Sequence, residues 1–151
     1  MTFSTLARIG AVLLAGATVL VLLDATSASS KVTPASYPGC GSYWNRNTPV
    51  TAKQRRVNAC IVNAAHAGRH GRAVAVLTTV EGDPIPTYVF VRGRRDVLVV
   101  TDSTRDRFGS GGWQRLRCRA LGVHGGMLAP SGCRTLGIGK PSWLQPIRLP
   151  S

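Results

Sequence analysis

The sequence predicts an α+β domain in which one N-terminal helix packs on a four- to five-stranded antiparallel meander sheet. Two observations carry this prediction. Apolar residues recur at helical spacing just after residue 51, and β-branched and aromatic runs separated by turn residues follow. A helix followed by a meander is stable when the helix covers one face of the sheet.

The N-terminus predicts a secretory signal peptide over residues 1–28. Residues 9–23 carry no charge and follow Arg8, and small residues surround the expected cleavage after Ala28. The apolar run is shorter than the roughly 20 residues of a membrane span, and Asp24 ends it. An uncleaved anchor remains the alternative. We therefore expect a secreted or cell-envelope protein that meets a membrane only through an uncleaved N-terminus.

The helix is expected over residues 52–67, after an irregular leader at 29–50 that is rich in Ser, Pro, Gly and Asn. Thr51 and Gln54 fit a capping box, in which each side chain satisfies a free backbone N–H at the helix start. Gly68 is a natural residue for the helix end.

Strand patterns fill the rest of the domain, which is expected over residues 51–138. A glycine pair at 125–126 predicts a further hairpin, and the proline-containing segment 139–151 predicts an extended tail. The four main strands are expected at residues 73–80, 85–92, 97–101 and 113–118.

The cysteines Cys40, Cys60, Cys118 and Cys133 predict two disulfides, because their number is even and the domain is small and exported. A hairpin centred on residues 125–126 pairs positions whose numbers sum to 251, as 118 and 133 do. This register favours Cys118–Cys133, which leaves Cys40–Cys60 to hold the leader on the helix. A pairing of Cys60 with Cys118 stays open.

The charge balance predicts an anionic partner. The chain carries 19 Lys plus Arg against 6 Asp plus Glu, a formal net charge of +13. Because export makes nucleic acid an unexpected partner, the candidates become anionic cell-envelope polymers or lipid headgroups. A solvated outer face that reflects a codon bias is the alternative. The arginines expected to form the binding face lie near one turn and along one strand: Arg92, Arg94, Arg95, Arg115, Arg117 and Arg119.

No catalytic residues are predicted. Residues 63–66 and 109–112 resemble the histidine and nucleophile segments of chymotrypsin-like serine proteases, with Asp102 between them. However, Gly109 replaces the expected Asp, and the span from His66 to Ser110 is too short for two β-barrels. A small secreted hydrolase is therefore only a remote alternative.

No metal or other cofactor is predicted either. His66 and His70 have helical ligand spacing, but Gly68 interrupts the helix between them. Asp102, Thr104 and Asp106 alternate as in a calcium loop, but Arg107 and Trp113 stand where an EF-hand loop requires Gly and Glu.

Several segments together resemble a group of small exported actinobacterial proteins of uncharacterised function. The resemblance covers about residues 40–133, and the order of helix and meander is also similar to cystatin-like folds. It implies an architecture and transfers no functional residue. The segments that carry it are residues 60–64, 67–69, 79–85 and 102–109, with Trp113 and Cys118.

These observations predict a monomeric, non-enzymatic binding module for an anionic envelope or extracellular partner. The alternative is an inhibitor or interaction module for a secreted enzyme, with the loop at 102–112 as its contact.

Overall fold

The computed structural model describes residues 33–45 and 49–148. The predicted signal peptide, with its alternative of an uncleaved anchor, lies outside the described residues. Within them, no helix has both the length and the apolar composition needed to cross a bilayer.

The described chain forms a short 3₁₀ turn at Pro34–Ser36, one α-helix and eight strands. In chain order, the helix and strands are β1 (Gly39–Asn45), α1 (Ala52–Ala67), β2 (Gly71–Thr78), β3 (Pro84–Gly93), β4 (Asp96–Asp102), β5 (Trp113–Cys118), β6 (Ala120–His124), β7 (Met127–Ser131) and β8 (Arg134–Ile138).

The α+β class with one helix on a largely antiparallel sheet is confirmed, but the details of the sheet differ from the prediction. It has six strands in the order β1-β2-β3-β4-β5-β8, and β6 and β7 form a separate two-stranded sheet. Strand β1 runs parallel to β2, because α1 carries the chain back between them.

The helix is therefore not N-terminal, and the leader expected to be irregular contains a strand. Gly39 and Gly41 lower the strand propensity of β1, which explains why no strand pattern was visible there. Tyr43 anchors the strand because its side chain is buried against the core.

The ends of α1 coincide with the predicted ones. The Thr51 Oγ1 accepts a hydrogen bond from the Gln54 backbone N–H at 3.1 Å, and Gly68 ends the helix in the left-handed region at φ 67°. The other half of the expected capping box, from the Gln54 side chain back to the Thr51 backbone, does not form. The Gln54 side-chain amide donates instead to the Gly126 carbonyl oxygen.

Both faces of the main sheet are covered. One face packs against α1 and the β6–β7 hairpin, with Ile61, Val91 and Leu121 in a shared core. Residues 139–148 form neither helix nor strand, but they pack across the other face, where Leu144 is buried beside Phe90. We call residues 139–148 the C-terminal strap.

Strands β5 to β8 form one long bent hairpin. The β6–β7 register pairs Ala120 with Ser131, and the β5–β8 register pairs Arg117 with Arg134. In both pairs the residue numbers sum to 251, as predicted. The ladder breaks between the two pairs, so that β6 and β7 leave the main sheet and pack against the helix. The two favoured disulfides, Cys40–Cys60 and Cys118–Cys133, are confirmed, and the second lies at the bend.

Candidate anion-binding site

Arginines gather at one end of the main sheet. The β3–β4 turn, the end of β5 and the start of β8 meet there, because β3, β4, β5 and β8 are consecutive antiparallel neighbours. Between these segments lies an open hollow of about 540 Å³, walled by the Cys118–Cys133 disulfide and Gly132. The charged side chains that line this arginine hollow are Arg95, Arg117, Arg119 and Arg134.

Asp96 fixes two guanidinium groups at the edge of the hollow. Arg117 donates two parallel hydrogen bonds to the Asp96 carboxylate, from Nε to Oδ1 at 2.9 Å and from Nη2 to Oδ2 at 3.0 Å. Arg92 Nη2 donates to the same Oδ1 at 2.9 Å. Two-point pairing of a planar guanidinium with a carboxylate restricts the orientation of both groups. Arg117 therefore enters the hollow in a defined orientation.

The charge of Asp96 is maintained by these contacts. Partial burial would raise the pKa of this carboxyl, but the hydrogen bonds from Arg92 and Arg117 outweigh that effect and hold the pKa below its ordinary value. Asp96 is thus ionised at neutral pH, and it offsets only one of the positive charges around the hollow.

The other three arginines of the hollow are exposed and free. Within the described residues, the guanidinium groups of Arg95, Arg119 and Arg134 have no hydrogen-bond or ion-pair partner. Their guanidinium groups come from a turn, a strand bend and a strand start. The Arg119 side chain lies beside Gly132. A Cβ added at position 132 would lie 3.2 Å from the Arg119 Cβ.

The six predicted binding arginines separate into three groups. Arg95, Arg117 and Arg119 line the hollow, while Arg92 supports it through Asp96. The remaining pair lies elsewhere. Arg94 Nε donates to the His66 carbonyl oxygen at the C-terminus of α1, at 3.1 Å. Arg115 lies further along β5, with Nη2 3.4 Å from the Ile138 carbonyl oxygen.

Arg134 belongs to the hollow, although it was not among the six predicted binding arginines. The numerical register that predicted the second disulfide also places residue 134 opposite Arg117, as the structure does. That register was the signal that could have found it.

Acidic side chains concentrate at the opposite end of the sheet. Asp83 pairs with Arg107 there, with Arg107 Nε 3.0 Å from Asp83 Oδ1. Asp102 accepts hydrogen bonds from both the backbone N–H and the hydroxyl of Thr104. Asp106 accepts hydrogen bonds from two backbone N–H groups of the same loop. These carboxylates stabilise the turns, and of the acidic residues that the structure describes only Asp96 lies at the arginine end.

The residues of the remote hydrolase alternative lie at different ends of the sheet. His66 adjoins the β3–β4 turn through its contact with Arg94, whereas Asp102 ends β4 and Ser110 follows it. Along the seven residues of β4 this separation is about 20 Å. Direct hydrogen bonding between a base and a nucleophile does not occur across that distance.

Neither a protein-family model, nor a curated protein, nor a solved structure matches this chain. The chemistry of the arginine hollow therefore indicates what the site can do. Guanidinium groups stay protonated and bind carboxylate or phosphate oxygens in pairs. The described residues of the hollow's wall are arginines, a disulfide and a glycine, so the hollow can hold anionic groups.

Proposed function

We propose that this protein is an exported, non-enzymatic module that binds an anionic polymer of the cell envelope or the extracellular space through the arginine hollow. One observation carries the proposal: the guanidinium groups of Arg95, Arg119 and Arg134 have no partner within the described residues and surround one open hollow. Exposed cations that outnumber the acidic groups beside them attract polyanions, and a hollow held by fixed strands orients the contact.

Export is supported by the covalent framework. Two disulfides bind all four cysteines, and such bridges persist in oxidising compartments. Intact-mass measurement of the native protein is expected to show a chain that begins after Ala28 and has no titratable thiol. A full-length cytosolic chain with free thiols would contradict export.

Binding of linear polyphosphate and of polyglutamate tests the role of the hollow. The double variant R119Q/R134Q is expected to bind both polymers roughly tenfold more weakly, because each exposed charge pair contributes up to about 1 kcal/mol. The control R56Q/R105Q removes the same charge from exposed sites outside the hollow, and a change of about twofold or less is expected for it.

The same titration in rising salt tests the electrostatic basis of binding. Affinity is expected to fall steeply towards 0.5 M salt, where the screening length is roughly 4 Å. Equal losses for the two double variants, or binding that salt does not change, would contradict the proposal.

A second candidate function is docking to a secreted protein through the loop between β4 and β5. Phe108 is 74% exposed, although its loop is held firmly by the Asp83–Arg107 pair and by Asp106. An apolar side chain on a pre-organised loop suits a pocket on a partner. Capture of one secreted protein by the wild type but not by F108A, with V80A as the exposed apolar control, would support this function.

A further inference from the structure

A second cavity system lies away from the arginine hollow, beneath the C-terminal strap. One cavity of about 220 Å³ has Val74, Tyr88 and Phe90 as its floor and Leu144 and Ile147 of the strap as its wall. A neighbouring cavity of about 230 Å³ extends over β1, where Gly41 and Ser42 line it. The two cavities share Arg72, Ala73, Val74 and Ile147.

The two cavities form one slot across three strands of the sheet. The slot runs from β3 over β2 to the edge strand β1, which is about 10 Å at the usual spacing of strands. Its floor is mainly apolar. The Tyr88 hydroxyl accepts a hydrogen bond from the Ile147 backbone N–H at 3.0 Å, so this polar atom is used to hold the strap.

Arg72 is the charged side chain of the slot. It lies opposite Phe90 in the β2–β3 register, and its side chain is exposed. Its backbone N–H donates to the Pro38 carbonyl oxygen, whereas its guanidinium has no partner among the described residues. The slot thus combines an apolar floor with one free positive charge.

We propose that this slot binds an anionic amphiphile, with its alkyl chain on the apolar floor and its carboxylate or phosphate head on Arg72. An apolar cavity with a single polar group that fixes orientation is the usual form of a small-molecule site. The free guanidinium selects an anionic head and disfavours a cationic one. This site does not depend on the proposed role of the arginine hollow.

The cover of the slot is suited to ligand entry. Gly139 joins the strap to β5 through its backbone N–H, which donates to the Trp113 carbonyl oxygen at 3.1 Å. Over residues 140–148, the structure has no backbone–backbone hydrogen bond from the strap to a strand, and these residues are held by the Leu144 and Trp143 side chains and by the Ile147–Tyr88 hydrogen bond. Trp143 meets Phe90 edge-on at 5.0 Å between ring centroids. Side-chain contacts of this kind break more readily than a strand ladder.

Calorimetric titration of the native protein with octanoate, decanoate, decanol and decyltrimethylammonium tests the proposal. Each methylene buried in the slot is expected to tighten binding about fourfold, so that decanoate binds more tightly than octanoate. R72Q is expected to weaken decanoate binding about tenfold and to leave decanol binding unchanged. The cationic amphiphile is expected to bind the wild type more weakly than decanoate.

Two further variants separate the slot from other sites. V74F fills the floor and is expected to abolish binding of both decanoate and decanol, with circular dichroism to check the fold. R134Q removes one charge from the arginine hollow and is expected to leave decanoate binding unchanged. Absence of binding, equal binding of the cationic amphiphile, or a decanoate affinity that R72Q does not change would overturn the proposal.

Discussion

At the scale of single residues, Asp96 distinguishes an organised site from a diffuse positive surface. Its carboxylate holds Arg92 and Arg117 by hydrogen bonds of 2.9 and 3.0 Å, and among the described residues it is the one acidic side chain beside the hollow. Removing its charge is therefore expected to change polyanion affinity in opposite directions for a diffuse surface and for an organised site. Added positive charge strengthens diffuse attraction, whereas loss of a fixed guanidinium weakens an organised site.

We expect D96N to bind polyphosphate about 2- to 10-fold more weakly than the wild type, although the variant is more positive by one charge. The reason is that Arg117 must then be ordered on binding, at about 0.5–1.5 kcal/mol for one flexible side chain. Titration of both proteins at equal ionic strength measures the difference. Tighter binding by D96N would show that only net charge matters.

Asp83 and Asp96 also make stability depend on pH. Hydrogen bonds from the Arg107 side chain and backbone lower the pKa of Asp83, and the Arg92 and Arg117 hydrogen bonds lower that of Asp96 against the opposing effect of burial. A pKa that is lower in the folded state favours the folded chain above the unfolded value, about 3.9 for Asp. This contribution is lost as pH falls below that value.

Urea unfolding at about pH 7 and about pH 3 is expected to show the wild type losing stability on acidification. D96N is expected to lose less over the same interval, since it lacks one of the two carboxylates. An identical loss in both proteins would exclude Asp96 as a source of the pH dependence.

At the scale of elements, the long hairpin from β5 to β8 positions the hollow. Its two arms carry Arg119 and Arg134, and Cys118–Cys133 joins the arms at the bend. The other disulfide joins β1 to α1, outside the hollow. The loops closed by the two bridges are similar in length, with separations of 15 and 20 residues.

The two bridges therefore make a matched pair of variants. Removing either is expected to lower the free energy of unfolding by about 2–4 kcal/mol, because loops of similar length restrict the unfolded chain similarly. Only C118A/C133A is expected to weaken polyphosphate binding as well, whereas C40A/C60A is expected to bind normally while folded. Equal effects on binding would mean that the bend does not position the arginines.

The sequence predicted the elements with local signals and missed those that depend on distant packing. The helix ends followed from Thr51 and Gly68, and the bent hairpin from its glycine turn. Strand β1 was missed because its stability comes from Tyr43 and from the bridge to α1, which are non-local. The buried pair Gln54 and Asn58 was missed for the same reason, since both donate to the Gly126 carbonyl oxygen, far away in sequence.

The second layer on the sheet has a signal in the sequence of β4. Residues 97–100 are continuously apolar and are all buried, as expected for a strand covered on both faces. The strap provides that cover through Leu144, although its prolines indicate only an extended chain. Within the candidate site, Arg95, Arg117 and Arg119 were predictable from their positions in sequence. Arg134 could be placed in the hollow only from the register of the long hairpin, which sets it opposite Arg117.

At the scale of the whole molecule, most of the described acidic residues lie at the end of the strands opposite the arginine hollow. The arginine end carries Asp96 as its one described acid, while Glu81, Asp83, Asp102 and Asp106 lie at the other end. Because of this asymmetric charge distribution, the electrostatic potential is expected to be most positive at the arginine end, and a polyanion is expected to approach that end first. The slot beneath the strap lies on a broad face of the sheet, which allows an amphiphile to bind independently.

The most direct test of the central claim is nuclear magnetic resonance of the arginine side chains during titration with tripolyphosphate. The Nε–Hε signals of Arg95, Arg117, Arg119 and Arg134 are expected to shift together and to saturate at one ligand concentration. The signals of Arg56 and Arg105, which lie outside the hollow, are expected to stay in place. Shifts spread evenly over all arginines, or the absence of shifts at low salt, would contradict binding in the arginine hollow.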